Sequence, residues 1–390
     1  MGSVGVSWRV WKFLLGVWLV MIGMLIGSSD SLCEFEGIFN FGDSNTDTGG
    51  FNAAFPAQVS PFGMTFFKKP VGRSSDGRLI LDFLAQGLGL PYLSPYLQSI
   101  GSDFRHGANF ASSASTVLEP TASLDVGGIS PFHLAIQLRQ LQHFKAIVSE
   151  FYEQQGQGTN NDNKDASYSY LPSPDIFAKS IYTFYIGQND FTSKVSAYGI
   201  PSLRESLPQI VSQIDATIRE IYAEGGRTFL VFNLGPVGCY PGFLVELGHD
   251  PSDVDEFGCM VSYNDVVDDY NNLLRETLTE TRENLVGATL IYVDVHSALL
   301  QLFRDPTTHG LKHSTRACCG HGGGDYNFEP KIMCGNMAAS ACDDPENYVS
   351  WDGIHFTEAA NKIVARAILD GSISQPHFPF QQHCDLHPID

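Results

Sequence analysis

Three polar side chains near the two ends of the chain have the types and spacing of a nucleophilic catalytic site. Ser44 lies in FGDSNTDTGG, directly after a short apolar run, where a hydroxyl at the end of a buried strand can act as a nucleophile. Asp352 and His355 stand three residues apart in WDGIHFTEAAN. On a tight turn this spacing lets the carboxylate hold the imidazole Nδ1–H and leaves Nε2 for the serine proton. The alternative is that Ser44 caps a helix and that the Asp–His pair caps the last helix.

Two further segments offer hydrogen-bond donors for the negative charge that such a nucleophile creates on its substrate. GANFASSAST spans residues 107–116, and IGQNDF spans residues 186–191. Asn189 follows a buried-strand pattern directly, so its amide is expected at the same rim as Ser44. Taken alone, Asn189 and Asp190 would be interpreted as a turn, and only the four segments together indicate a site.

An alternation of strand and helix patterns must position these loops. Short apolar runs predict buried strands at Glu36–Phe41, Ile181–Ile186, Thr228–Phe232 and Thr289–Val293. Apolar residues at helical spacing predict helices at Leu79–Leu88, Leu134–Tyr152, Leu203–Ile221, within Val254–Arg282 and at Thr357–Leu369. Such alternation predicts an α/β fold with a mostly parallel sheet covered on both faces, whose strand ends carry the functional loops.

The same pattern argues for one domain, although 390 residues would allow two or three. No linker rich in Pro, Gly and Ser divides it. The polar stretch Gln154–Pro174 is interpreted as an exposed loop, because the alternation resumes directly after it. We therefore predict a single α/β domain over residues 32–390, behind an N-terminal leader at residues 1–31.

That leader has the pattern of a secretory signal peptide. Arg9 and Lys12 precede the apolar stretch Phe13–Ile26, and small residues follow it. An uncleaved anchor or a buried helix is the alternative, but the stretch is shorter than the roughly 20 residues that a spanning helix needs. Cleavage is expected between Gly27 and Ser31. The signal-peptide pattern predicts that the protein is exported.

The eight cysteines all follow the expected cleavage region. In an oxidising compartment an even number predicts disulfides, whose connectivity the sequence leaves open. A zinc site is the alternative, but no C-x-x-C pair is present and adjacent cysteines rarely share one tetrahedral metal. Its candidate ligands are Cys318, Cys319, His321, Cys334 and Cys342. No N-x-[ST] sequon occurs, so N-glycosylation is not expected.

Composition and missing motifs exclude several classes of function. Asp and Glu number 43 against 23 Lys and Arg, which gives a formal net charge of −20 at pH 7. A chain this acidic is repelled by phosphate, and its longest basic run is the pair Lys68-Lys69. Nucleic acid is therefore excluded as a partner, and anionic membrane surfaces are disfavoured. The chain has no G-x-S-x-G elbow, H-E-x-x-H, Walker loop or G-x-G-x-x-G. Glycoside cleavage by paired carboxylates stays open, because carboxylates are abundant, but no spacing singles out a pair.

Four ordered blocks resemble those of the plant GDSL esterase/lipase family, part of the SGNH hydrolases: FGDSNTDTGG, GANFASSAS, IGQND and DGIHFT. NLGPVGCYP at 233–241 and ACCGHGG at 317–323 look like further family landmarks, so the resemblance covers essentially the whole chain after the leader. It implies a flavodoxin-like three-layer α/β/α fold. It also implies Ser44 as nucleophile, His355 as base and Asp352 as the residue that orients the base. Asn189 and the backbone N–H of Ser44 would serve the oxyanion hole.

One position departs from the family pattern. Members usually carry Gly five residues after the second-block Asn, where its backbone N–H binds the oxyanion. Counting from Asn109, that position is Ala114. Alanine keeps the N–H, but it is strained if the backbone there needs a positive φ. Gly107 and Ala114 are both retained as candidate donors of this block.

The resulting hypothesis is a secreted serine esterase that cleaves carboxylic esters through an acyl-enzyme, with no metal or cofactor. The expected location is extracellular, in the apoplast or cell wall, with the vacuole as the alternative. The resemblance implies acetylated polysaccharides, acylated secondary metabolites, cutin-like esters or lipids as substrates. An acyltransferase with the same triad is one alternative, and a catalytically idle glycan-binding protein is another. Because an unperturbed histidine titrates near pKa 6.5, activity is expected to fall with acid around that pH. The oligomeric state is left open.

Overall fold

The computed structural model describes residues 33–120, 129–157, 170–247 and 250–390. The leader predicted at 1–31 and most of the loop predicted at 154–174 lie outside these ranges. Within them, no helix combines the length and the apolar character that crossing a bilayer requires.

A six-stranded sheet forms the centre of the fold. The eight strands of the described chain are β1 (Gly37–Gly42), β2 (Gly107–Asn109), β3 (Ser180–Tyr185), β4 (Thr228–Phe232), β5 (Thr289–Val293), β6 (Cys319–Gly320), β7 (Ser340–Ala341) and β8 (Ser374–Gln375). The central order is β2-β1-β3-β4-β5-β8, in which the first five strands are parallel and β8 pairs with β5 antiparallel. Strands β6 and β7 form a separate antiparallel pair. The carboxyl ends of β1 and β3 are therefore neighbours.

Helices cover this sheet in two groups. The helices are α1 (Gly50–Ala54), α2 (Ile80–Gly87), α3 (Leu134–Gln157), α4 (Ile176–Lys179), α5 (Gln188–Ala223), α6 (Pro241–Glu246), α7 (Val261–Asn284), α8 (Val295–Arg304) and α9 (Glu358–Leu369). Helix α5 packs against α3 and α7, while α9 packs against α2 and α8. Every residue of β1 and β3 is buried, so both sheet faces are covered. The predicted single α/β domain with a mostly parallel sheet is confirmed.

Aromatic stacking fixes the strand that leads to Ser44. The rings of Phe41 in β1 and Phe184 in β3 stack with centroids 4.9 Å apart, and Phe39 stacks on Phe177 at 5.1 Å. These rings are buried, and they belong to the apolar core that runs through the sheet. Because such a core resists displacement of its strands, the loop after β1 starts from a fixed point.

The four predicted strands are found within one residue of their expected bounds, and the five predicted helices are all present. Helix α5 begins at Gln188, well before the predicted Leu203, and its non-helical residue Gly199 has φ 79°. The apolar residues at helical spacing, on which the prediction rested, lie only in the part of α5 after Gly199. Helix α7 begins at Val261, inside the predicted range Val254–Arg282, and ends two residues beyond it at Asn284. Strand β2 was not predicted at all.

All eight cysteines are paired as disulfides. The bridges are Cys33–Cys384, Cys239–Cys259, Cys318–Cys342 and Cys319–Cys334. The zinc alternative is therefore wrong, since its four cysteines are committed to two disulfides.

Candidate active site

The side chains of Ser44, His355 and Asp352 form one continuous hydrogen-bonded chain. The Oγ of Ser44 lies 2.8 Å from Nε2 of His355, and Nδ1 of His355 lies 2.7 Å from Oδ2 of Asp352. Because the carboxylate can only accept, Nδ1 carries the proton and Nε2 is the acceptor for the serine hydroxyl. Two turns 311 residues apart in the sequence thus meet at the carboxyl edge of the sheet.

The spacing of Asp352 and His355 is explained by a tight turn. Oδ1 of Asp352 accepts the backbone N–H groups of Ile354 and His355 at 3.0 and 2.8 Å, which leaves Oδ2 for the imidazole. Gly353 adopts φ 95°, a conformation that glycine tolerates and other residues rarely do. The alternative role as a cap of the last helix is wrong, because Thr357 caps α9.

Neighbouring segments hold this turn from outside. The N–H of Glu358 donates to Oδ1 of Asp76 at 2.7 Å, and the N–H of Cys319 donates to the Trp351 carbonyl at 2.6 Å. Cys319 is itself fixed by a disulfide. The turn is therefore pinned to both the loop before α2 and the disulfide-bonded β6–β7 segment.

Burial and pairing act in opposite directions on the charges of this site. Burial opposes ionisation of Asp352, but its attraction to His355 and its hydrogen bonds outweigh burial and lower the pKa of Asp352. Burial likewise opposes protonation of His355. The charge and hydrogen bond of Asp352, with a smaller contribution from Asp43, outweigh that effect and raise the pKa of His355. The pair therefore favours an ionised Asp352 and stabilises an imidazolium at His355.

The Ser44 turn is built by the carboxylates on either side of it. Oδ1 of Asp43 accepts both the N–H and the Nδ2 of Asn45 at 2.9 Å, and the Asp43 carbonyl accepts the N–H of Asp47 at 2.9 Å. Helix α1 starts only at Gly50, whose N–H donates to Asp47 at 2.6 Å. Asp47 therefore holds the first turn of α1, so the cap role weighed for Ser44 is wrong.

Asp43 is a titratable group that sequence reasoning missed. It is fully buried, and burial raises its pKa to about 6 against the hydrogen bonds from Asn45 and the attraction of His355, while Asp47 adds to the rise. The available signal was a carboxylate next to Ser44 at the end of an apolar strand. Such a carboxylate is forced into the protein interior together with the strand.

The structure brings Ala114 and Asn189 together beside the Ser44 turn. Nδ2 of Asn189, in the first turn of α5, donates to the Ser115 carbonyl at 2.9 Å. The preceding residue, Gln188, lies 3.4 Å from Asn45 of the Ser44 turn. Ala114 has φ 62°, and within the described ranges its N–H has no hydrogen-bond acceptor. The positive φ anticipated as a source of strain is present.

Gly107 does not belong to this group. It pairs with Ile38 near the amino end of the parallel strands, away from the edge at which Ser44 lies. Its N–H donates to the Phe104 carbonyl at 3.1 Å, and it has φ 104°. A Cβ added at this position would overlap the Ile38 carbonyl. The prediction of Gly107 as an oxyanion donor is wrong, because the glycine serves close strand pairing.

Comparison with known proteins agrees with the motif blocks. Residues 38–368 match the family model described as GDSL-like lipase/acylhydrolase. The protein belongs to this family. A GDSL esterase/lipase of Arabidopsis thaliana is 57% identical over 375 residues, covering 94% of this chain and 96% of the relative.

Other similar proteins carry different names. A protein of Hevea brasiliensis named Esterase is 39% identical, with 90% of each chain covered. A protein of Arabidopsis thaliana named Alpha-L-fucosidase 3 is 41% identical, covering 87% of this chain and 91% of the relative. Among solved structures, an acetylxylan esterase from Geobacillus stearothermophilus has a TM-score of 0.35 at 14% identity, over 86% of this chain and 92% of that one. As a member of the GDSL family, the protein is a carboxylic ester hydrolase.

Proposed function

We propose that the protein is a secreted serine esterase that hydrolyses carboxylic esters through an acyl-enzyme on Ser44. The observation that carries this proposal is the hydrogen-bonded chain from Ser44 Oγ to His355 at 2.8 Å and from His355 to Asp352 at 2.7 Å. A serine hydroxyl bound to an imidazole that a buried carboxylate orients is the arrangement that activates serine for acyl transfer.

The first half of the reaction forms the acyl-enzyme. Ser44 Oγ attacks the ester carbonyl carbon while Nε2 of His355 takes its proton. Asp352 stabilises the resulting imidazolium and keeps Nδ1 protonated. The carbonyl oxygen gains negative charge, and the donors facing it would be the N–H groups of Ser44 and Ala114 and Nδ2 of Asn189. Nε2–H then protonates the alkoxy oxygen, the C–O bond breaks and the alcohol leaves.

The second half repeats these steps with water. His355 takes a proton from water as the water oxygen attacks the acyl carbon. The same donors stabilise the second tetrahedral intermediate. Return of the proton to Ser44 Oγ releases the free acid and regenerates the site.

A fluorophosphonate probe tests the role of Ser44. We expect one adduct on Ser44 in the intact protein, and loss of both the adduct and nitrophenyl acetate hydrolysis in Ser44→Ala. For the base, His355→Ala is compared with His383→Ala, since His383 also faces a carboxylate, that of Glu34, at 2.8 Å. We expect His383→Ala to keep full activity. A Ser44→Ala protein that hydrolyses the ester as fast as wild type would overturn the mechanism.

The products of these assays also distinguish hydrolysis from acyl transfer to an alcohol and from glycoside cleavage. Addition of a sugar or phenolic alcohol diverts acyl groups from free acid to a new ester only if the acyl-enzyme transfers to alcohols. Because one relative bears a fucosidase name, an aryl fucoside is included. Hydrolysis of that glycoside at the same rate in wild type and in Ser44→Ala would indicate a second site.

Export is part of the proposal, and the four disulfides support it, because such bridges persist mainly in oxidising compartments. We expect protein recovered from the medium of expressing plant cells to begin between residues 28 and 32. A protein retained inside the cells with its N-terminus intact would contradict cleavage of the leader.

A further inference from the structure

Ala114 has a backbone conformation that its own side chain disfavours. A φ of 62° lies in the left-handed region, where an L-residue with a Cβ is strained and persists only when surrounding contacts hold it. The segment 113–118, here termed the oxyanion loop, must therefore be constrained from outside. The contacts on each side of Ala114 identify the groups that constrain it.

Asp47 holds the residue before Ala114. Its Oδ2 accepts the backbone N–H of Ser113 at 2.8 Å and the Ser113 Oγ at 3.0 Å. Its Oδ1 accepts the N–H groups of Gly49 and Gly50 at 2.8 and 2.6 Å. Asp47 is fully buried, so the carboxylate is fixed by α1 and in turn fixes the start of the oxyanion loop.

Asp190 holds the other end of the oxyanion loop. Its Oδ2 accepts the N–H of Val117 at 2.6 Å, and its Oδ1 accepts the N–H of Leu118 at 3.0 Å. It lies in the first turn of α5 next to Asn189, whose amide binds the Ser115 carbonyl. This carboxylate is also buried. Two buried carboxylates, one in the turn before α1 and one in the first turn of α5, thus bracket Ala114.

We propose that Asp47 and Asp190 are positioning residues that hold the Ala114 N–H toward the oxyanion of the substrate. The inference rests on the proposed function, in which that oxyanion forms when Ser44 attacks an ester. The hydrogen bonds described above for both carboxylates go to backbone N–H groups and to the Ser113 hydroxyl. They act through the conformation of the oxyanion loop, which is set before the substrate binds, and preorganised donors of this kind stabilise the transition state.

Asparagine is the informative replacement at both positions. It has nearly the shape of aspartate, but one of its two terminal atoms is a donor. At position 190 the NH₂ group of asparagine would face the backbone N–H of Val117 or Leu118. Two hydrogen-bond donors would then oppose each other. The loop loses a hydrogen bond on one side of Ala114, while the packing volume stays almost unchanged.

A matched control is available elsewhere in the chain. Asp253 is half-buried and accepts the N–H of Ser262 on Oδ1 at 2.9 Å and its Oγ on Oδ2 at 2.6 Å, the same two groups of a serine that Asp47 accepts from Ser113 on one oxygen. It lies before α7 and outside the site. Asp253→Asn removes the same kind of interaction without touching the oxyanion loop.

Steady-state kinetics with nitrophenyl acetate provide the first readout. We expect Asp47→Asn and Asp190→Asn to lower kcat by about 10- to 100-fold with KM within about threefold, because an oxyanion donor acts mainly in the transition state. Asp253→Asn should change kcat by less than about twofold. Thermal unfolding checks that each protein is folded. If Asp47→Asn does not fold, the kinetics of Asp190→Asn alone test the proposal.

The Ala114→Gly background separates positioning from a general structural effect. Glycine accepts a positive φ without strain, so its N–H depends less on the carboxylates. We expect the loss of kcat from Asp190→Asn to be about fivefold smaller in this background than in wild type.

Equal losses in both backgrounds, or an effect on KM alone, would overturn the positioning role. Fluorophosphonate labelling of Ser44 distinguishes the two failures. Equal losses with Ser44 labelled refute only the positioning role, whereas an active Ser44→Ala protein refutes the proposed mechanism as well.

Discussion

Asp43 is expected to make the stability of the protein depend on pH in a defined direction. Its carboxyl is fully buried, and among the described residues its Oδ2 has no hydrogen-bond partner. Burial raises its pKa from 3.8 to about 6, against the hydrogen bonds from Asn45 and the attraction of His355. The folded protein therefore binds this proton more tightly than the unfolded chain does.

The sign and size of the effect follow from linkage. Because the pKa is higher in the folded state, the stabilisation is complete below about pH 3.8 and is lost as the pH rises through about 6. A difference of about two pKa units corresponds to roughly 3 kcal/mol over the full range. Between pH 5 and pH 8 the loss is about 1 kcal/mol, because at pH 5 the unfolded chain has already released this proton and part of the stabilisation is already lost.

Asp43→Asn removes this titration while preserving the local contacts. The Asn oxygen can occupy the place of Oδ1 and accept both hydrogen bonds from Asn45. We expect the free energy of unfolding of the variant, relative to wild type, to increase by about 1 kcal/mol from pH 5 to pH 8. Urea unfolding with the disulfides intact measures this difference.

The control for this measurement is Asp103→Asn. The hydrogen bond from Arg105 is the main cause that lowers the pKa of Asp103, so this carboxyl is ionised in both states at pH 5 and at pH 8. Its replacement should change stability equally at the two pH values. If Asp43→Asn behaves in the same way, with a difference that does not change with pH, the reasoning about Asp43 is refuted.

The same substitution bears on catalysis. The charge of Asp43 contributes to the raised pKa of His355, although less than Asp352 does. Asp43→Asn should therefore move the acid limb of the kcat/KM profile to lower pH and reduce kcat. A buried carboxylate that costs stability at neutral pH while supporting the base is a form of the conflict between stability and activity.

Three further predictions follow from the site and the sheet. Asp352→Asn should lower kcat by about 10³- to 10⁴-fold with little change in KM, because the amide favours the wrong imidazole tautomer; ester kinetics at a fixed pH check this. The acid limb of kcat/KM should have its midpoint above the ordinary histidine value of 6.5, since the pKa of His355 is raised, and a midpoint at or below 6.5 would contradict the influence of Asp352. Gly107→Ala should reduce stability by about 3 kcal/mol through overlap with the Ile38 carbonyl, while kcat per active site, titrated with fluorophosphonate, stays unchanged.

The parallel sheet could be predicted because its strands are buried on both faces. Such strands appear as continuous apolar runs, and the predicted bounds of Thr228–Phe232 and Thr289–Val293 match the structure. The candidate triad could be predicted because residue type and local spacing carry the signal. Ser44, Asp352 and His355 lie in two short turns. The residue types and spacing within each turn indicate the chemistry even when the distance between the two turns is unknown.

Other features depend on contacts that no local pattern records. Strand β2 has three residues and is a strand only because it pairs with β1, so Gly107 looked like a member of a functional loop. The positive φ of Ala114 is imposed by Asp47 and Asp190, which are distant in sequence. The pKa of Asp43 likewise depends on burial by the complete fold. Disulfide pairing has the same origin, because it reflects which chain segments meet in space.

The Cys33–Cys384 disulfide gives the molecule an unusual response to cleavage of its backbone. The bridge joins residues 351 positions apart, so nearly all of the described chain forms one covalent ring. A single peptide bond cut by a protease opens that ring but releases no fragment. The cut molecule would migrate as one species without reductant and as two with it. A cut between Ser44 and His355 would place them on different segments, yet without reductant the disulfide would keep the two halves of the site tethered to each other.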